Sequence, residues 1–263
     1  MSEENKNYDE YDATPLTMEE AIVEAKRCLN CKKPGCITGC PISNDIPDFI
    51  HQLSRGNFGE ARTILAGKTN LPAVCGRVCP HEKQCEGHCV LNRAGKPIRI
   101  GKLEQFIADF DADMNLIREK IPPKTRGNVA VIGSGPAGLA CADQLNKAGY
   151  DVTVFERDDV IGGLLVYGIP DFKLEKWVVD RRVDLLKQEG IKFKTNIWVG
   201  RDYPAKILKK EYDIIVLTGG ATQARDLPIP GRSLKGLHFA VDYLKQQNKR
   251  NRGLEEDEDE ILA

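Results

Sequence analysis

Two short cysteine runs limit what this chain can become. The first is CLNCKKPGCITGC at residues 28–40, with thiols at Cys28, Cys31, Cys36 and Cys40 and with Pro41 directly after the last. The second holds Cys75, Cys79, Cys85 and Cys89, with Pro80 after Cys79. Eight of the nine cysteines therefore fall in two windows of one region. A disulfide framework goes with export, and the chain shows no apolar signal segment. Closely spaced thiols instead let one loop wrap a metal centre with several soft ligands. Zinc sites usually join two C-x2-C units. Here there is one such unit, and the other gaps are three, four or five residues long. A last cysteine followed by proline marks iron–sulfur runs, and in two-cluster proteins that cysteine serves the other cluster. The pattern predicts two [4Fe–4S] clusters.

The rest of the composition narrows the class. A length of 263 residues suggests about two domains. A net charge of −1 gives no ground for nucleic acid or an anionic membrane as partner. No run of about 18 apolar residues is present, so no transmembrane helix is expected. Cysteines without an export signal point to a reducing cytoplasm.

Residues 1–16 are polar and acidic and read as frayed. Thr17 and Glu20 make a capping box that opens a helix over 17–28 and delivers Cys28 to the first run. Helices follow at 45–54 and 57–67, the second with Asn57 and Glu60 as its cap signal. Residues 69–100 read as loop, and 102–119 as an amphipathic helix. Its apolar stripe is Leu103, Phe106, Ile107, Phe110, Met114 and Ile117. Residues 1–121 thus form an all-α domain whose modest core gains folding energy from its clusters.

Residues 122–127 are a linker, and the pattern changes at Asn128. NVAVI at 128–132 is a buried strand. It runs into Gly133-Ser134-Gly135-Pro136-Ala137-Gly138, a helix to about Ala148, and a second strand, DVTVFE, ending at Glu156. This G-x-G-x-x-G lies between a strand and a helix. It gives a tight turn, a close approach for a pyrophosphate, close helix–strand packing and a helix N-terminus facing phosphate charge. Glu156 lies where a carboxylate binds a ribose hydroxyl. These features predict a dinucleotide site without separating FAD from NAD. Gly162 and Gly163 lie in a glycine-rich loop that can approach the cofactor. A helix is expected at 173–188, strands at 192–196 and 213–217, and a helix at 234–247. The second of those strands is expected to be buried, with Thr218 and Gly219 at its carboxyl end. Residues 248–263, a basic and then an acidic block, read as a charged solvated linker.

Taken together, these motifs resemble the small (beta) subunit family of NADPH-dependent glutamate synthase. Relatives of that family include the N-terminal half of dihydropyrimidine dehydrogenase and the large subunit of ferredoxin:NADP oxidoreductase. The resemblance runs from about Leu16. It is carried by both cysteine runs, IGKLEQF at 100–106, VIGSGPAGLACA at 131–142, VFE at 154–156, GGLLVYGIPDFKL at 162–174 and TGGATQARDLPIPG at 218–231.

The resemblance implies an α+β protein: an α-helical ferredoxin-like iron–sulfur domain, then a Rossmann-like FAD-binding domain over 128–247 that is incomplete at its C-terminus. It implies that Cys28, Cys31, Cys36 and Cys89 hold one [4Fe–4S] cluster, and that Cys40, Cys79, Cys85 and Glu104 hold the other. Cys75 and Cys141 are left out, and His51, His81, His88 and His238 lie at no ligand spacing. It implies FAD at Gly133, Gly135, Pro136, Ala137, Gly138 and Glu156, extending to Arg157, Gly162, Gly163, Leu164, Lys173, Thr218 and Gly219. NADPH would bind a further domain beyond this chain. Electrons would pass to a large amidotransferase-type synthase subunit that makes glutamate from 2-oxoglutarate and glutamine. Alternatives are a sibling oxidoreductase using ferredoxin, sulfur, polysulfide or a pyrimidine as acceptor, and a non-catalytic cluster-bearing adaptor. No side-chain acid, base or nucleophile is expected.

Overall fold

The computed structural model describes residues 14–114, 120–254 and 261. The acidic stretch 1–13, the helix end expected at 115–119 with Ile117, and the acidic block 255–260 lie outside the described residues. The chain divides into two compact units between Ile117 and Arg118.

The first unit is helical, with no strand among its described residues. Its elements are α1 (Met18–Lys26), α2 (Gly35–Gly39), α3 (Ile46–Ser54), α4 (Phe58–Ala66), α5 (Pro72–Val78) and α6 (Ile100–Met114). The capping box forms: Thr17 Oγ1 accepts from the Glu20 amide, and the Glu20 carboxylate accepts from the Thr17 amide at 2.8 Å. Asn57 precedes α4 but caps nothing, because its Nδ2 donates to Gln52 Oε1 at 2.9 Å.

The core joins Phe49, Ile50 and Leu53 of α3 to Leu65 of α4 and to Leu103 and Ile107 of α6. The rings of Phe58, Phe106 and Phe110 close one side. The expected stripe ends early, since Met114 is 60% exposed. Helices α2 and α5 fall in stretches expected to be loop. Helix α5 exists because it rests on α6. A Cβ at Gly76 would lie 2.5 Å from the Gln105 amide nitrogen, and Arg77 donates twice to the Asp109 carboxylate, at 3.0 and 2.9 Å.

The second unit is a parallel four-stranded sheet in the order β3-β2-β1-β4. Its strands are β1 (Asn128–Ile132), β2 (Asp151–Phe155), β3 (Lys192–Lys194) and β4 (Ile214–Leu217). Its helices are α7 (Pro136–Lys147), α8 (Leu164–Tyr167), α9 (Lys176–Gln188), α10 (Ala205–Glu211) and α11 (Ala240–Asn251). Strand β1 is central, with Val131 opposite Val154 on one side and Val216 on the other. Continuous apolar residues suit a strand buried on both faces. Asp143 of α7 is fully buried and is held by Arg182 of α9 at 2.7 Å and by Lys147 at 3.2 Å.

Two expectations change in this unit. Strand β4 is less buried than its sequence suggests: it ends the sheet order, and Leu217 is 79% exposed. The basic block is no solvated linker, because α11 runs on to Asn251 and its charges are paired with acids of the Rossmann unit. Among the described residues no helix is long and apolar enough to cross a membrane.

Candidate cluster and dinucleotide sites

The two cysteine runs close on each other where glycine permits it. A Cβ at Gly35 would lie 2.5 Å from the His88 carbonyl oxygen, and one at Gly39 would meet the His88 ring at 2.6 Å. This approach brings Cys89 to the first run. Cys28, Cys31, Cys36 and Cys89 line one pocket with Pro34, Ile46, Ile50 and Ile98. Burial pushes the Cys28 thiol up, and the neighbouring Cys31 and Cys89 add to the shift. Cys36 is pushed up to about 11 by burial, then by Cys28 and Cys89. A cationic centre between the thiols would reverse the penalty on Cys28 and Cys36.

Cys40, Cys79, Cys85 and Glu104 form a second neighbourhood. Cys40 and Glu104 lie within electrostatic reach of both Cys79 and Cys85. Cys85 is pushed up to about 12 by burial, then by Glu86 and Glu104. Cys79 is lowered, first by a hydrogen bond from Cys75. Glu104 lies on the inward face of α6, and its Oε1 is buried with no hydrogen-bond partner. Burial, then the Cys75 thiol, push its carboxyl well above the usual carboxylate range. A buried carboxylate oxygen without a donor costs roughly 1–3 kcal/mol or more unless something completes it. The donor set of three thiols and one orphaned carboxylate therefore fits a metal cluster.

Cys75 adjoins that set: its thiol lies 3.6 Å from Thr69 Oγ1 and hydrogen-bonds to Cys79. His81 lies at no ligand spacing in the sequence, yet its Nε2 is buried without a partner and its ring lies against Gly101. Its signal was the glycine that opens α6, not the histidine itself. Cys141 is half-buried in α7. All nine cysteines are free thiols. Among the described residues no three of His, Cys, Asp or Glu converge tightly enough for a single ion; the first four thiols surround a pocket instead.

In the second unit the glycines do three different things. Gly133 turns at φ +105°, and a Cβ there would lie 2.5 Å from the Thr218 carbonyl oxygen. A Cβ at Gly138 would lie 2.0 Å from the Gly133 carbonyl oxygen, so α7 touches the turn after β1 there. Gly135 faces open space, which leaves its backbone accessible. Pro136 and Ala137 start α7 and are exposed beside it.

Glu156 turns inward to the loop. Its Oε2 accepts from the Ser134 amide at 2.9 Å and from Ser134 Oγ at 2.5 Å, and its Oε1 accepts from the Asp158 amide at 3.0 Å. Ser134 Oγ also accepts from the Gly162 amide at 3.0 Å. Gly163, at φ +54°, lies so close to Gly135 that a Cβ would reach its Cα at 2.9 Å. Thr218 Oγ1 donates to the carbonyls of Ile132 and Gly133, both at 3.0 Å. Glu156 and Thr218 thus brace the glycine turn. Leu164 and Gly219 are exposed. Lys173 lies over the Phe172 ring, and Arg157 lies 5.3 Å from the Trp198 ring centroid.

Comparison with known proteins agrees with both units. Residues 4–116 match the family model of dihydropyrimidine dehydrogenase domain II, 4Fe-4S cluster. Residues 131–188 match that of the NAD(P)-binding Rossmann-like domain. The glutamate synthase [NADPH] small chain of Bacillus subtilis is 45% identical over 254 residues, covering 93% of this chain and 51% of that protein. That of Mycobacterium tuberculosis is 44% identical over 247 residues, covering 94% and 49%. The glutamate synthase [NADH] of Saccharomyces cerevisiae is 45% identical over 239 residues, covering 89% of this chain and 11% of that protein. The chain spans about half the length of the small chains it matches. It is a homologue of the glutamate synthase small chains, with an iron–sulfur domain followed by an NAD(P)-binding Rossmann-like domain.

Proposed function

We propose that the chain is the iron–sulfur and flavin-binding part of the electron-transfer subunit of an NADPH-dependent glutamate synthase. The observation that carries this reading is the partition of chemistry-bearing side chains into two sets, one around a pocket and one around a buried orphaned carboxylate. Cys28, Cys31, Cys36 and Cys89 would hold one [4Fe–4S] cluster. Cys40, Cys79, Cys85 and Glu104 would hold the other. FAD would lie on the turn at Gly133, Gly135 and Gly138, with its pyrophosphate at the N-terminus of α7. When bound, the flavin supplies two-electron chemistry and the clusters one-electron transfer.

The chain's own residues position these groups. Gly135 leaves the backbone open to the phosphates. Glu156 fixes Ser134, and through it the Gly162 amide. Thr218 fixes the turn from β4. Arg157, Leu164, Lys173 and Gly219 would border the cofactor. Ile46, Ile50 and Ile98 give the first thiol set an apolar wall. NADPH would enter at a domain outside this chain. The acceptor would be a large synthase-type subunit that forms glutamate from 2-oxoglutarate and glutamine, and the setting would be cytoplasmic.

The test is anaerobic purification with assays of iron, acid-labile sulfide and flavin. Two clusters give about eight irons and eight sulfides per chain, and FAD adds one flavin. Zinc without sulfide after anaerobic reconstitution would overturn the cluster assignment. Iron without flavin would retire the FAD assignment alone.

A further inference from the structure

Helix α11 lies far along the chain from the glycine turn, yet it clasps the segment that covers that turn. Asn248 is 2% exposed, and its Nδ2 donates to the Tyr167 carbonyl oxygen at 3.0 Å. Lys245 pairs with Asp158 at 2.6 Å and lies 4.9 Å from the Tyr167 ring centroid. Lys249 pairs with Asp159 at 3.3 Å, Asn251 donates to Asp171 at 2.8 Å, and Arg252 pairs with Asp180 at 3.1 Å. Four polar side chains of α11, with Arg252 at its C-cap, thus reach residues 158–180.

The clasped segment leads straight to the site. Tyr167 donates its hydroxyl to Asp159 and accepts from the Val160 amide at 2.9 Å, closing a loop around Gly162 and Gly163. The Tyr167 amide donates to the Gly163 carbonyl oxygen at 2.9 Å. Gly162 is bonded to Ser134 Oγ, and Gly163 abuts Gly135. A contiguous path of hydrogen bonds and close contacts therefore runs from Asn248 through Tyr167 to the turn that would meet a pyrophosphate.

We propose that α11 is a strap that holds the Gly162–Gly163 turn against the dinucleotide loop, with Asn248 as its positioning residue. Asn248 acts through the Tyr167 carbonyl. It fixes the Tyr167 carbonyl, and through it the height of the turn above Gly135. The inference rests on the dinucleotide reading of that loop. The strap itself consists of contacts within the chain.

The experiment uses the full chain with its clusters and substitutes Asn248→Leu, which keeps the volume and removes the donor. Two quantities are read: FAD affinity by flavin fluorescence, and amide exchange without ligand. FAD binding is expected to weaken roughly tenfold, the size of one buried hydrogen bond. Exchange at 160–168 is expected to quicken by a similar factor while the β1 amides stay protected. A purely structural role would loosen both segments together, and that result overturns the proposal, as does unchanged exchange at 160–168. If Asn248→Leu does not fold, Lys245→Gln serves, with about threefold expected on each readout; no change in local exchange overturns the proposal there too. Absence of FAD binding by the unsubstituted chain would sink the dinucleotide reading, and the exchange measurement would still decide the strap.

Discussion

Two buried glutamates mark the difference between the two sites. In the Rossmann unit both Glu156 oxygens have protein donors, Ser134 and Asp158. In the helical unit Glu104 Oε1 has none, and His81 Nε2 and Asn44 Oδ1 are also buried without partners. Native proteins satisfy nearly all buried polar groups. A site whose polar atoms pair internally stands ready-made before its ligand arrives. A site with orphaned atoms and repelling thiols is completed by what it binds, so binding energy becomes folding energy. The helical unit should thus depend on its metal, and the Rossmann unit should not depend on its flavin.

The most severe way to break this comparison is to remove the iron. Chelation should strip several kcal/mol from the helical unit, since metal binding is folding energy there. Amide protection should collapse in α3 and α6 and persist in β1 and β2. Equal loss in both units, or loss in neither, would end the contrast. Flavin removal is the mirror experiment, and protection at β1 should survive it.

The next largest effect separates the two thiol sets. Glu104→Ala should take iron from about eight to about four per chain, with the set around Cys28, Cys31, Cys36 and Cys89 still loaded. Electron paramagnetic resonance of the reduced protein should show one cluster in place of two. Loss of both or of neither would remove Glu104 from the second set.

A pair of glycines tests how ready-made the Rossmann site is. Gly138→Ala places a Cβ 2.0 Å from the Gly133 carbonyl oxygen, and backbone cannot give way as a side chain does. It should cost about 1–3 kcal/mol or more and abolish FAD binding. Gly135→Ala meets nothing within 4 Å. It should leave thermal stability unchanged and still lower FAD affinity, because the methyl fills the approach to the backbone. A matching loss of stability in both variants would deny Gly135 its separate role.

Much of this was legible in the sequence, because the signals were local. The Thr17–Glu20 box, the β1–α7–β2 unit and the apolar face of α6 each follow from residues a few positions apart. The misses are non-local. GCITG, with two glycines in five residues, has poor helix propensity, yet α2 forms where Gly35 and Gly39 meet His88. Helix α5 carries a glycine midway, and the reason is its contact with α6. The basic residues of α11 read as solvated because Asp158, Asp159 and Asp180 lie some seventy to ninety positions away. Glu104 looks like any surface glutamate near a helix start; only the family resemblance singled it out. Asn57 is the reverse case, a cap signal whose side chain found Gln52 first.

Glu24 sharpens the comparison from inside the helical unit, with the smallest effect. It is as buried as Glu104 but has protein donors: the Arg99 amide at 2.9 Å and Arg27 at 2.6 Å. Burial opposes its ionisation, and the Arg99 amide and Arg27 more than offset it, so its carboxyl is held below the usual range. A depressed folded-state value stabilises the fold above the unfolded carboxylate pKa, about 4.3. That contribution is lost as pH falls through the folded value. Glu24→Gln should therefore cost about 1 kcal/mol at pH 7, read as a shift in the urea midpoint of the loaded protein. The gap to the unsubstituted protein should close as pH falls below about 4.3, while acid lability common to both proteins cancels in the difference. A gap that stays constant with pH would mean that Glu24 acts by packing alone. Completion by protein donors would then not be what separates Glu24 from Glu104.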